Sequence, residues 1–335
     1  MELENWSDIR DKFTDNILLG NGASIAIDKR LSYHSLYKRV CESGGLNHEI
    51  IKMFKYFKTT NFEFIMKLLL EASRVNKVLE IDDDKTREYY HQIRDSLIDT
   101  VRDIHPTCQD VKPRLSRIAE FLANFHTVLS LNYDLLVYWS ILVGNDDLEC
   151  QWFKDGFIRE GGEFERDFGF LYKPRPPAEG ATLVFYPHGS LFLATDIDGN
   201  EKKLIHDEAE RLIGTILAIW KERDYIPLFV SEGNTVEKFH AITRSDYLTT
   251  VYDFVLRRIT GSLVIYGWSA SNQDEHIFNA IDHKGISDIA VSVHTKNPNW
   301  KSYCDRIEDR IALTHNLKDV DIHFFDSKCK GCWIF

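Results

Sequence analysis

The chain lacks any run of uncharged apolar residues near the roughly 18 that a membrane-spanning helix needs. Its opening residues, MELENWSDIRDKF, are charged where a secretion signal would be apolar. A cytoplasmic protein is the expectation. Basic excess is also missing. Lys and Arg number 41 against 52 Asp and Glu, and the formal net charge of -11 repels a phosphate backbone, which argues against direct nucleic-acid binding. A small anionic ligand is not excluded, because backbone N–H groups at a helix start can hold one phosphate without a basic surface. Cysteine is sparse: Cys41, Cys108, Cys150, Cys304, Cys329 and Cys332 are scattered over 335 residues, so reduced thiols are expected rather than a disulfide framework. The single C-x-x-C, Cys329 and Cys332, has no second pair to complete a tetrahedral site. It reads as an exposed chain end, with a thiol redox or shared metal role as the alternative, and no metal centre is expected.

What is present is a series of short apolar runs that each stop at a small or polar cluster. Thr127 to Leu131 is β-branched and apolar, which suits a strand buried on both faces of a parallel sheet. It ends at Asn132-Tyr133-Asp134, ahead of a helix over Leu135 to Leu142. Open α/β sheets bind ligands outside the carboxyl ends of their strands, so Asn132 and Asp134 stand where sugar hydroxyls would be held. Both are also ordinary helix caps. Asn16 to Leu19 likewise runs into Gly20-Asn21-Gly22-Ala23-Ser24. Two glycines let a backbone approach a pyrophosphate and Ser24 offers a hydroxyl. Ile25 replaces the third glycine of G-x-G-x-x-G, so the fingerprint is partial and a plain tight turn would serve as well. Ala181 to Tyr186 ends in Pro187-His188-Gly189-Ser190, Ile226 to Val230 in Ser231-Glu232-Gly233-Asn234, and Leu263 to Tyr266 in Gly267-Trp268-Ser269.

Between the first two clusters, 46–125 has helical spacing throughout, with Asp82 to Lys85, Pro106 and Pro113 as breakers. It is expected to be a helical insertion that caps the crevice or meets a partner, with Phe54, Tyr56, Phe57, Phe62 and Phe64 in its helix core. The segments 14–45 and 126–328 form the remaining core of a single domain, 1–335. An irregular region spans Gly144 to Gly180. Beyond it, helices over 207–223, 235–258, 274–281 and 300–317 alternate with strands over 226–230, 263–266, 289–293 and 320–325. The pattern predicts an α/β fold: a doubly wound, mostly parallel, Rossmann-like sheet carrying a helical insertion subdomain. Four strand ends with small or polar clusters describe one crevice, with phosphates at one end and riboses along it.

The stretches LLGNGASIAI at 18–27, LSLNYDLL at 129–136, FYPHGSL at 185–191, ITRSDYL at 242–248 and LVIYGWSASNQDEHI at 263–277, in that order, resemble the sirtuin-like NAD-cleaving domains. The bacterial antiphage-defence type is the nearest in character. The resemblance spans most of the chain outside the insertion. It departs from true sirtuins where Ile25 to Arg30 lacks a GIPDFR-like segment, where Leu131 replaces the Gln of QN-x-D, and where two zinc-binding cysteine pairs are missing. What it implies is NAD+ as substrate, with Asn132, His188 and Asp134 as catalytic candidates. It also implies a nucleotide site of Gly20, Asn21, Gly22, Ala23, Ser24, Gly189, Gly267, Ser269 and Asp274, with Glu232 a plausible neighbour. Nicotinamide leaves NAD+ as a neutral molecule, so one base suffices. Asn132 would hold ribose hydroxyls or water, and His188, whose imidazole titrates near neutrality, would take the proton. A structural histidine bonded in its turn is the lesser alternative for His188, whereas a helix-capping role explains Asp134 equally well. The expected activity is NAD+ hydrolysis. Its alternatives are an NAD-dependent protein deacylase, disfavoured by the missing cysteines, and a non-catalytic ADP-ribose or NAD-binding assembly subunit. A homo-oligomer is expected from the apolar surface of the insertion. The resemblance adds a second defence protein, such as a DNA-translocase-type ATPase, as a partner.

Overall fold

A computed structural model describes residues 3–335 apart from 33–35, 148–151, 158–161, 163, 165–180, 197, 207, 223–224, 231–233, 282–284, 315 and 318–319. Its strands are β1 (Asn16–Leu19), β2 (Thr127–Ser130), β3 (Phe153–Lys154), β4 (Thr182–Phe185), β5 (Gly189–Thr195), β6 (Glu201–Lys203), β7 (Ile226–Phe229), β8 (Gly261–Tyr266), β9 (Ile286–Val293) and β10 (Asp321–Asp326). Seven of them make a central sheet in the order β10-β9-β8-β1-β2-β4-β3. Every pairing in it is parallel. The uncharged runs explain this, because β1, β4 and nearly all of β2 and β8 are buried along their lengths, as strands covered by helices on both faces must be. The fold is the expected Rossmann-like, doubly wound α/β architecture.

Helices α1 (Trp6–Ile9), α2 (Asn21–Ile27) and α3 (Leu36–Glu42) accompany β1. Then come α4 (His48–Tyr56), α5 (Phe62–Val78), α6 (Lys85–Ile104) and α7 (Cys108–Leu122), the helical stretch read from the sequence. The rest are α8 (Leu136–Asp147), α9 (Leu212–Glu222), α10 (Thr235–Ile242), α11 (Asp246–Thr250), α12 (Glu275–Ile281) and α13 (Trp300–Leu313). Leaving β1, the chain builds β2, β3 and β4 on one side and then crosses to β8 on the other. The topological switch point therefore falls between β1 and β8, where such sheets bind ligands. Among the described residues no helix is long and apolar enough to cross a membrane.

Some expectations are corrected. The 226–230 strand does not join the parallel sheet. As β7 it pairs antiparallel with β5 in a separate three-stranded sheet, β6-β5-β7. Pro227 cannot donate to a ladder on both sides and so belongs on an edge, which β7 is. Pro113 does not break a helix. It lies inside α7, whose start is set five residues earlier by a capping box in which Thr107 accepts from Asp110 N and Asp110 accepts from Thr107 N. Of the insertion aromatics, Phe54 and Phe62 are core, Phe64 is half-buried, and Tyr56 and Phe57 are exposed. Nor is the cysteine pair an exposed end. Cys332 and its neighbour Trp333 are buried, and Trp333 Nε1 donates to Ala23 O at 2.9 Å. Burial pushes the Cys332 thiol well up, and the described cysteines are all free.

Candidate functional site

The turn after β1 is the first turn of α2, with Gly20 as its N-cap, and it lies against the turn after β8. Gly20 N donates to Tyr266 O at 2.9 Å and Gly22 N to Gly267 O at 2.7 Å. The spacing has no room for side chains. A Cβ on Gly20 would stand 2.4 Å from Trp268 Cα, and one on Gly267, whose φ is 67°, would stand 2.3 Å from Ala23 N. Close backbone packing at the switch point thus accounts for these glycines. Gly189 follows the same logic on the small sheet, where a Cβ would meet Leu228 O at 2.1 Å.

Asn132, just past β2, points into this seam. Its Nδ2 donates to Gly20 O at 3.0 Å and to Ser24 Oγ at 2.9 Å, while Ser24 Oγ donates to Asp134 Oδ2 at 2.5 Å. Asp134 Oδ1 accepts from Leu136 N at 3.0 Å, so it also caps α8. Burial raises the Asp134 carboxyl above the ordinary range, although the Ser24 and Leu136 hydrogen bonds pull against it. The loop after β4 is held alongside through the start of β5, where Leu191 N donates to Tyr133 O at 2.8 Å and Ser190 Oγ to the same oxygen at 3.1 Å.

That loop carries His188, which is paired with another histidine. His188 Nε2 lies 2.8 Å from His276 Nε2, with the rings stacked at 5.1 Å. Val230 N donates to His188 O at 2.7 Å, holding the loop from β7. Beside the pair, Asp274 takes Lys238 Nζ at 2.7 Å and Trp268 Nε1 at 3.2 Å. Burial lowers His188 well below its ordinary value, and the Lys238 charge adds to the effect. Burial likewise takes His276 down to about 4, against the pull of Asp274. For Asp274 burial works upward, but the neighbouring His188, Lys238 and the Trp268 bond together outweigh it and keep the carboxyl low.

Residues 17–333 match the model of a protein family described as a domain of unknown function, DUF4917. The chain belongs to the DUF4917 family. No curated protein matches the chain.

In this DUF4917 domain the strand ends bring most of the expected residues together, in two adjoining clusters. Asn132, Asp134, Ser24 and Gly20 form one, while His188 and Asp274 belong to the other, with Gly20 against Trp268 between them. Asn132, Asp134 and His188 are only 5%, 1% and 4% exposed, so all three lie beneath the surface. Asn21 is half-buried, and its Oδ1 is buried without a hydrogen-bond partner among the described residues. Ser269 stands apart: it is exposed, and its carbonyl accepts from Arg306 at 2.9 Å. Glu232 lies outside the described residues.

His276 and Lys238 are the participants that sequence reasoning missed. The spacing D-x-H at Asp274 and His276 was a signal, but it sits at the head of a helix far along the chain from His188. Together His188, Asp274 and His276 offer ligand atoms within 4.8 Å of one another, enough to hold a metal ion. Two imidazoles on one zinc at about 2.0–2.1 Å stand about 3.3 Å apart, so the rings would have to part and Lys238 give up Asp274. As it stands, the group is a hydrogen-bonded histidine pair beside an Asp274–Lys238 ion pair, and His276 Nδ1 is buried without a hydrogen-bond partner among the described residues.

Proposed function

We propose that this chain hydrolyses NAD+, releasing nicotinamide and an ADP-ribose product, as the effector of a bacterial antiphage defence system. The observation that carries the reading is the convergence of the Gly20–Ser24 turn, Asn132 and the His188 loop at the carboxyl ends of the adjacent strands β1, β2 and β4. Asn21 Oδ1, a buried acceptor without a partner among the described residues, is suited to a ribose hydroxyl in the same place.

In the reaction, water bonds to the ribose C1′ as the bond to the pyridinium nitrogen breaks. The electron pair neutralises nicotinamide, and the proton of the water passes to a base. A neutral His188 is able to accept it, and Asn132 orients the ribose or the water. Because the groups are buried, NAD+ enters only after the strand-end loops separate. That suits an effector held inactive until assembly with further copies or with a second defence protein such as a DNA-translocase-type ATPase.

One observation favours a second reading, a non-catalytic ADP-ribose or NAD-binding subunit. The Asn132 amide and both Asp134 oxygens are already taken by internal hydrogen bonds. Incubation of the protein with NAD+, followed by chromatography, separates the readings. Nicotinamide release without an acylated peptide supports hydrolysis. Release that requires such a peptide makes the chain a deacylase, and binding without turnover selects the second reading.

A further inference from the structure

A cavity of about 270 Å³ opens between α5, the edge strand β7 and α10, and it shares no lining residue with the strand-end clusters. Its walls are graded. Asn61 and Ser245 are buried, Glu63 and Glu201 are half-buried, and Lys67, Arg74 and Arg244 are exposed at the rim. Two rim cations are engaged, Arg74 with Asp198 at 3.8 Å and Arg244 over the Phe64 ring at 5.1 Å, while Lys67 stands close enough for its charge to act on Glu63. The inner carboxyls are not: neither Glu63 nor Glu201 forms an ion pair among the described residues. Each is held by a backbone amide, Glu63 by Phe229 N and Glu201 by Tyr247 N, the latter at 2.7 Å. Burial raises both, and the charge of Glu201 raises Glu63 further, against the pull of the Phe229 amide and the Lys67 charge.

We propose that this cavity binds a small aliphatic amine, with an ammonium group seated between Glu63 and Glu201 and its carbon chain against Phe64, Ile226 and Leu228. An ammonium is a compact charge with three donors and suits two carboxyls that make no direct ion pair among the described residues, Lys67 staying at the rim. A bare metal ion suits them less, because neither glutamate joins a third ligating group within reach among the described residues. The apolar wall also favours a cation that carries methylene groups. The site is independent of any reaction at His188, yet it touches the same strand: Glu63 holds Phe229 N, and the next amide, Val230 N, holds His188 O.

The test is calorimetric titration of the full chain with putrescine, with 1,4-butanediol and inorganic phosphate as comparisons. Putrescine should bind one-to-one and the diol should give no heat. Glu63→Gln and Glu201→Gln should each weaken binding about tenfold or more, each losing one charge-assisted contact. Ala241→Trp, which fills the cavity from α10 and leaves both carboxyls intact, should abolish binding. It also carries the test should a glutamate variant misfold, with circular dichroism as the check. Absence of heat from putrescine with the wild-type chain overturns the proposal. So does wild-type affinity in the variants, or binding of phosphate in preference to the amine.

Discussion

His188 and His276 face each other through their Nε2 atoms at 2.8 Å, so one nitrogen must donate while the other accepts. Two imidazolium rings cannot occupy that arrangement. Acid should therefore disfavour the fold, and His105 adds to the effect. It is buried, is lowered by that burial to about 4, and accepts from Leu135 N at 3.0 Å. The sign follows from linkage: histidines lowered in the fold bind protons more readily when unfolded, so their contribution is complete above about 6.5 and declines as pH falls towards about 4. Each of His105 and His276 should cost about 2 kcal/mol between pH 6.5 and 5. The raised carboxyls of Asp134 and Glu63 move the opposite way, so the histidine share is read by difference. Urea midpoints at pH 7 and pH 5 should differ less in His276→Asn than in the wild type; an equal difference would remove His276 from this account.

Asn132→Ala and His188→Ala should each abolish nicotinamide release. The two variants should differ in stability. Asn132 donates two buried hydrogen bonds that tie Gly20 and Ser24 to the β2 loop, so its loss should cost about 1–3 kcal/mol. A turnover assay run beside thermal melts checks both points, and full activity in either variant would take that residue out of the mechanism.

Gly267→Ala should be more damaging than either. Its Cβ would enter the Ala23 amide from a left-handed backbone position, and the opposite loop has only backbone to yield. A loss of about 2–4 kcal/mol is expected. A melting temperature unchanged from the wild type would show that the two turns are not locked together.

Glu63→Gln separates stability from binding. A carboxyl raised by burial stabilises the fold while protonated and loses that contribution as pH rises through its folded value. Glutamine keeps an acceptor for Phe229 N and never ionises. The variant should match the wild type at pH 5 and exceed it at pH 8 in urea midpoint. The reverse order would mean that the ionised carboxylate is favourable where it stands.

The parallel core was legible because β1, β2, β4 and β8 are short, uncharged and bounded by glycine or polar residues, a texture that few other settings produce. Asn132 and Asp134 could be placed for the same reason, since the end of a buried strand fixes where the next residues emerge. Pairings between distant segments were not legible. His276 meets His188 across 88 residues, and nothing local to the helix head at His276 foretells it. Pro227 is a local mark of an edge strand, but the surrounding alternation of strands and helices carries the stronger pattern and points to the parallel sheet. Burial of Cys332 and Trp333 is not legible either, because nothing local to them marks the distant Ala23 carbonyl that the Trp333 indole reaches.

That indole bond has a bearing on the order of events during synthesis. The carbonyl of Ala23 leaves the ribosome early, but its partner Trp333 follows 310 residues later. A nascent chain can lay down the central strands and still lack the brace behind its first glycine turn. The seam beside that turn gains this support only once Trp333 has been made, after every strand of the central sheet.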